Sequence, residues 1–462
     1  MSRRSISLRT RLRAGGRRSA PADIVLGAVA LAVLSTVLFI PSPLAADGKD
    51  KTQRPNTPRV STDLTGSVVA RDGQRLHLIT DLGRVIVKSE GSGKMDYRVH
   101  LEADASQKDA KALLSSFIVT THQTPEGIYF RGQSPERRAS GRLWVTVEVN
   151  VPKNYSLDVL TGGGNIETED VSGSATLVTA GGNIMAGNIG GPARLTTDGG
   201  HITVRNVAGE LTANTGGGHI TTGAIQGNAT LHTSGGHIRV SSIDGVGRVS
   251  TGGGNVSVEH SGSELMADTI GGQIEVGETA GVVRAKTGGG GIRVVRVSGP
   301  TDLQTSGGSI YLTQVDSAVK ASTGAGGITA WFVAPSKQPG QCELQSAEGD
   351  IVVYIPRQLP ITIDAQVQSG DEHHVIFDPA FPLKISHDAA ANGSEWVRAE
   401  GAFNGGGEVV HLRTVAGNIR LVMSDANKQV RLYKQQMEQL QQQLEFQLRQ
   451  LQQSQQVGEN SP

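Results

Sequence analysis

Three histidines, His201, His219 and His237, recur at intervals of 18 residues. Neutral imidazoles stacked about 4.8 Å apart on successive coils could share a transition metal. Neighbouring intervals place Asn165, Asn183, Asn255, Gln273 and Ser309 at the same position, so the competing reading is a polar corner without a ligand. Arg194, Arg248, Arg284 and Lys320 occupy another fixed position of the interval. They form either a sparse basic strip suited to an anionic glycan or a solvated face. His373 and His374 lie beside Asp371 and Glu372. Adjacent residues on a strand point to opposite faces, so this pair chelates poorly. The lone cysteine, Cys342, reads as a small buried apolar side chain or as a reactive thiol. One cysteine excludes a disulfide framework and any Cys-based zinc cluster.

The element that positions these residues is a repeat. Ile166, Ile184, Ile202, Ile220, Ile238, Val256, Ile274, Ile292, Ile310 and Ile328 follow one another at a constant 18-residue step. This apolar position is taken as zero. At −5 stands threonine in every unit: Thr161, Thr179, Thr197, Thr215, Thr233, Thr251, Thr269, Thr287, Thr305 and Thr323. Positions −3 and −2 are Gly-Gly in nine units and Ala325-Gly326 in the tenth. Period-2 alternation within each unit specifies strands. Positions −9 and −7 pair a small with a larger residue, as in Ala229/Leu231 and Leu265/Ala267, which lets stacked coils interdigitate. The glycines mark corners, where positive φ or close backbone approach is needed.

The expected fold is therefore all-β: a single-stranded parallel β-solenoid of 18-residue coils over residues 156–332. No unit buries its apolar face alone, so stability comes from stacking. The threonines should form a coil-to-coil hydrogen-bonding ladder. Right-handed winding is favoured by the crossover rule. Fragments of the pattern recur at Leu76–Val87, Cys342–Val353 and Val410–Leu421. Residues 59–155 read as a β-rich capping region, with short strands and a helix near Gln107–Phe117, and residues 333–424 as the C-terminal solenoid and cap. Such caps cover strand edges that would otherwise stay open. Pro335–Pro339 interrupt the repeat as a loop.

The termini differ in kind. Residues 1–20 carry seven arginines and no acid, and an apolar run follows from Ile24 to Ile40. This is the pattern of an export signal or, if uncleaved, of a single membrane-anchoring helix over residues 24–40 with its N-terminus in the cytoplasm. Residues 47–58 form a polar linker. Near the other end, Val430, Tyr433, Met437, Leu440, Leu444, Gln447 and Leu451 alternate at three- and four-residue steps in a Gln-rich segment. That seam predicts a short coiled-coil-like helix over Val430–Leu451 for self-association or a partner helix; a lone amphipathic helix is the alternative.

Composition narrows the function classes. Glycine makes up about 13% of the 462 residues, against about 7% in ordinary proteins. Lys+Arg and Asp+Glu are equal at 43 each, which gives no basis for nucleic-acid binding. The constant spacing leaves no long loops to wall a catalytic groove, and the outward acids form no column. No cofactor is implied.

The phrases T-x-G-G-x-I-x-V and G-x-x-L-x-A-x-T, the lead-in from Val149 to Thr161, and the closing run from Gly405 to Ile419 are similar to the bacterial DUF4097 group of adhesin-type β-strand repeat proteins. The resemblance covers roughly residues 59–424. It implies export and a β-solenoid, and it brings no catalytic residues. The combined expectation is a non-enzymatic, exported interaction surface of the periplasm or cell surface, facing a surface protein or a polysaccharide. The alternative is a membrane-anchored envelope-stress sensor or assembly scaffold.

Overall fold

The computed structural model describes residues 59–90, 93–105, 110–134, 142–333, 340–368, 375–389 and 395–424. All of them belong to one compact unit, Thr57–Pro462, distinct from Met1–Asn56. The anchor or signal segment, the 47–58 linker, the 335–339 loop, His373-His374 and the Gln-rich tail lie outside the described residues. No helix among the described residues is long and apolar enough to cross a membrane.

The molecule is nearly all strand, arranged in two long, mainly parallel sheets. Each coil contributes one strand to each sheet. Positions −9 to −5 form sheet 1, as in Leu211–Thr215, and positions 0 to +5 form sheet 2, as in Ile220–Ile225. Register follows the repeat: Ile202 pairs with Ile220 and Ile220 with Ile238, while Leu211 pairs with Ala229. One 18-residue interval is thus one turn of the stack.

Alternation explains the core. The zero positions of all ten repeats are at most 1% exposed. The −9 and −7 side chains fill the space between the sheets with complementary sizes. Where Gly247 stands at −9, the Cδ1 atoms of Ile243 and Leu265 occupy the volume a side chain would take. Size complementarity thus runs between coils as well as across them.

The threonine position holds coil to coil, but not as a threonine-to-threonine ladder. Each −5 hydroxyl donates to the carbonyl of the −2 glycine one coil earlier, as Thr215 does to Gly200 at 2.7 Å and Thr233 to Gly218 at 2.8 Å. From Thr179 onward it also accepts from the −2 glycine N–H of its own coil, as Thr233 does from Gly236 at 3.2 Å, whereas Thr161 accepts from the −3 glycine, Gly163. The ladder therefore alternates side chain and backbone, because the tight Gly-Gly corner brings backbone groups into reach.

Three further coils, with zero positions Val85, Ile351 and Ile419, extend the ten. The first is separated in sequence from its neighbour: strands Arg75–Thr80 and Arg84–Lys88 pair with Ser156–Thr161 and Ile166–Thr168 across an excursion of the chain. At the other end, Val409–Thr414 inserts between Cys342–Ser346 and Ile361–Gln368. Both ends then turn antiparallel. Arg59–Val69, Lys94–Asp104 and Leu143–Asn150 close one end of sheet 2, and Ile361–Gln368, Glu395–Phe403 and Lys384–Ala389 close one end of sheet 1. The helix expected near residues 107–117 is a short one, Ala110–Ser116, and Ile118–Gln123 adds a strand that the sequence pattern did not mark.

Candidate functional site

The histidine column sits at position −1, just after the Gly-Gly corner and just before the buried zero residue. Its side chains point outward, because zero points in. The rings of His201 and His219 stack 4.9 Å apart at 9°, and those of His219 and His237 stack 5.0 Å apart at 7°. The His219 backbone N–H donates to Nδ1 of His201 at 2.9 Å, and that of His237 to Nδ1 of His219 at 2.9 Å. Asn255 N–H closes the run on Nδ1 of His237 at 2.8 Å. A backbone amide only donates, so each Nδ1 is an acceptor and the neutral ring carries its proton on Nε2.

Asparagine does the same work on either side. Asn165 Oδ1 accepts from Asn183 N–H at 2.9 Å, and Asn183 Oδ1 accepts from His201 N–H at 2.8 Å. The sequence equivalence of Asn and His at this position is therefore a shared acceptor placed one step along the stack. A metal on Nε2 of these rings would need the proton moved to Nδ1, at the cost of that bond. Among the described residues, no three His, Cys, Asp or Glu side chains are grouped so as to hold a metal ion. Burial pushes the His219 pKa down, and His201, His237 and Arg239 push it in the same direction.

The four basic residues at −8 do share a column on the outer face of sheet 1, but the column is not uniformly positive. Arg284 is ion-paired with Glu264, and Lys320 with Glu343 at 3.2 Å. Asp302 stands between Arg284 and Lys320 in register. A shallow, open depression on this face is lined by Arg284, Asp302, Lys320 and Glu343, so its charges largely compensate. Arg194 and Arg248 are paired in register with Thr212 and Thr230, which dilutes the strip further.

Cys342 is fully buried at −9, and desolvation raises its thiol to about 11. The thiolate that reactivity requires is thereby suppressed.

Other polar clusters were not anticipated. Asp170, Asn188 and Asn206 form a second ladder at +4: Asn188 Nδ2 donates to Asp170 at 2.8 Å, and Asn206 Nδ2 to Asn188 Oδ1 at 2.8 Å. The Asn188 backbone N–H, ahead of its side chain, holds the Asp170 carboxyl below the usual range. Their 18-residue spacing was a visible signal. In the N-terminal cap, His100 lies between Asp63 at 2.7 Å and Glu102 at 3.2 Å, and Asp63 in particular raises its pKa. In the C-terminal cap, Arg398 and His411 both reach the Asp364 carboxylate, at 2.8 and 3.1 Å. These two cap clusters join strands far apart in sequence, antiparallel for Asp63–His100 and Asp364–Arg398 and parallel for Asp364–His411, so no local spacing announces them.

No family model matches the chain, and no curated protein matches it. Among solved structures, a candidate cell adhesion protein from Clostridium sporogenes is 7% identical, over 79% of this chain and 100% of its own, with a TM-score of 0.17. A candidate adhesin from Parabacteroides distasonis is 10% identical, over 63% of this chain and 94% of its own, with a TM-score of 0.24. A candidate adhesin from Bacteroides fragilis is 10% identical, over 78% and 97%, with a TM-score of 0.21.

Proposed function

We propose that this chain is an exported, non-catalytic β-solenoid whose outer faces serve as an adhesin-like interaction surface in the bacterial envelope. The observation that carries the reading is the unbroken register. Coils of constant length give two long, regular outer faces, and their polar columns are satisfied within the stack. The −1 acceptors, the −5 hydroxyls and the +4 amides bond from coil to coil. Catalysis instead calls for groups converging in a walled cleft. Export is supported by the arginine-rich start followed by the apolar run of residues 24–40.

The test presents the full chain to immobilised peptidoglycan, to alginate as an anionic polysaccharide, and to whole bacterial cells. Saturable binding to one of these, with the mass of the bound material unchanged, supports the reading. Release of soluble fragments overturns the non-catalytic part. Absence of binding to all three overturns the adhesin-like part and favours an internal scaffold.

A further inference from the structure

The outer face of sheet 2 is not uniform along the stack. Toward its C-terminal end, Val295, Thr313, Trp331, Tyr354 and Val422 occupy successive coils, all partly exposed. The rings of Trp331 and Tyr354 stack at 4.9 Å and 6°, and Tyr354 pairs in register with Val422. Tyr311 and Val352 widen the stripe, and the Arg293 guanidinium lies 5.4 Å from the Tyr311 ring centre. Toward the N-terminal side the equivalent positions become Gly277 and Glu259, so the apolar stripe stops. Stacked faces of Trp331 and Tyr354 meet each other rather than solvent, which makes the pair a poor platform for a flat sugar ring.

We propose that this stripe is the docking surface for the chain's own C-terminal segment, with Val430, Tyr433, Met437, Leu440 and Leu444 laid against it. The last described strand, Ile419–Ser424, carries Val422 and ends two residues later, so the chain leaves at the head of the stripe. Five residues, 425–429, separate that exit from Val430, enough to reverse direction over the face. The lengths agree. Four coil steps from Val422 to Val295 span about 19 Å, and the fourteen residues from Val430 to Leu444 span about 21 Å as a helix. Beyond Leu444 the seam meets Gln447, as the stripe meets Gly277 and Glu259. Arg293 and Arg420 border the stripe, while Glu438 and Glu445 recur along one side of the tail. This inference does not depend on what the solenoid binds. It concerns which part of the surface is left for a partner.

The experiment is limited trypsin digestion of the full chain tagged at its C-terminus, with Lys428→Gln and Arg449→Gln in every form compared so that no site outside the docked stretch releases the tag, and with particle mass followed by light scattering across a hundredfold dilution. Arg431 and Lys434 are the reporter sites. The expected result is a concentration-independent monomer whose tag is retained, and at least a tenfold faster loss of the tag in the variant Leu440→Glu/Leu444→Glu. Those substitutions lie outside the solenoid, so they test the proposal without altering its coils. A tag lost equally fast from wild type and variant overturns the proposal. Protection that disappears on dilution together with a halving of mass also overturns it, and assigns the seam to a second copy.

Discussion

At the scale of single residues, the Gly-Gly corner separates two glycines that look alike in sequence. A Cβ on Gly236 would sit 1.9 Å from the carbonyl oxygen of Gly218 one coil earlier, whereas a Cβ on Gly235 would meet nothing closer than 4.0 Å. Neither has a positive φ. The requirement at −2 is therefore close approach, and it is the same approach that lets Thr233 reach Gly218. Gly236→Ala should cost about 1–3 kcal/mol or more, as overpacking does, and Gly235→Ala should stay within about 0.5 kcal/mol. Chemical denaturation of the two variants checks this; equal costs would remove the close-approach explanation. The corner was legible in the sequence, but its division of labour was not. Both glycines recur equally, and only three-dimensional stacking shows which one faces the preceding coil. Cys342 was legible for the opposite reason, since its place at −9 in the register already put it inside.

At the scale of the element, the histidine ladder and the coil around Val256 make distinct demands. The folded-state pKa of His219 is depressed from its ordinary value of 6.5 by burial, then by the neighbouring histidines and Arg239. The unfolded chain thus binds the proton more readily. The contribution is fully present above pH 6.5 and is lost as pH falls through the lower folded value. His219→Asn, which keeps an acceptor as Asn183 and Asn255 do, should match wild type at pH 8 and be less sensitive to acid near pH 5. His219→Phe should be destabilised at pH 8 as well. Thermal melts at the two pH values decide it; an asparagine variant as acid-sensitive as wild type would locate the proton elsewhere. The cap histidine His100 titrates in the other sense. Its pKa is raised, chiefly by Asp63, so its contribution is present below pH 6.5 and fades as pH rises through the higher folded value.

The coil from Val256 to Gln273 should be a weak point of the stack. Ser261 at +5 is 4% exposed where other coils place Ile or Val, and Thr279 in the next coil is 3% exposed. Ser261 recovers one hydrogen bond, to Ser263 O at 3.2 Å, but forgoes about 1.5–3 kcal/mol of aliphatic burial. Native-state hydrogen exchange should open residues 256–280 before residues 200–245. Equal protection across both stretches would contradict this. The sequence shows the polar substitutions directly because every coil supplies its own comparison.

At the scale of the whole molecule, the interior of the stack was readable because one turn equals one repeat, so sequence distance translates directly into spatial neighbourhood. That rule fails at the ends. The coil at Val85 meets the coil at Ile166 across the chain's excursion, and Val409–Thr414 slots between strands that precede it in sequence. Their apolar fragments were visible, but their partners were not, since nothing local encodes which distant strand they adjoin. The same limit explains why the basic strip looked more positive in sequence than in space. Glu264 stands off the column and turns to Arg284, while Glu343 sits in the column, in register with Lys320, but 23 rather than 18 residues beyond it in sequence.

If stacking of identical 18-residue turns is the organising principle, the chain should tolerate loss of one whole turn and not of half a turn. Removing Leu211–Asn228 brings Ala229 and Leu231 onto Ala193 and Leu195, the same small-on-small, large-on-large contact already made by Ala175 and Leu177 with Ala193 and Leu195. Removing nine residues from Leu211 instead exchanges the two sheets and places corner residues at core positions. The decisive measurement is cooperative thermal unfolding of these two deletion forms beside wild type. The account predicts a single sharp transition for the full-turn deletion, within several degrees of wild type, and no native transition for the half-turn deletion. Comparable behaviour of the two deletions, folded or unfolded, would contradict the 18-residue coil as the unit of this protein.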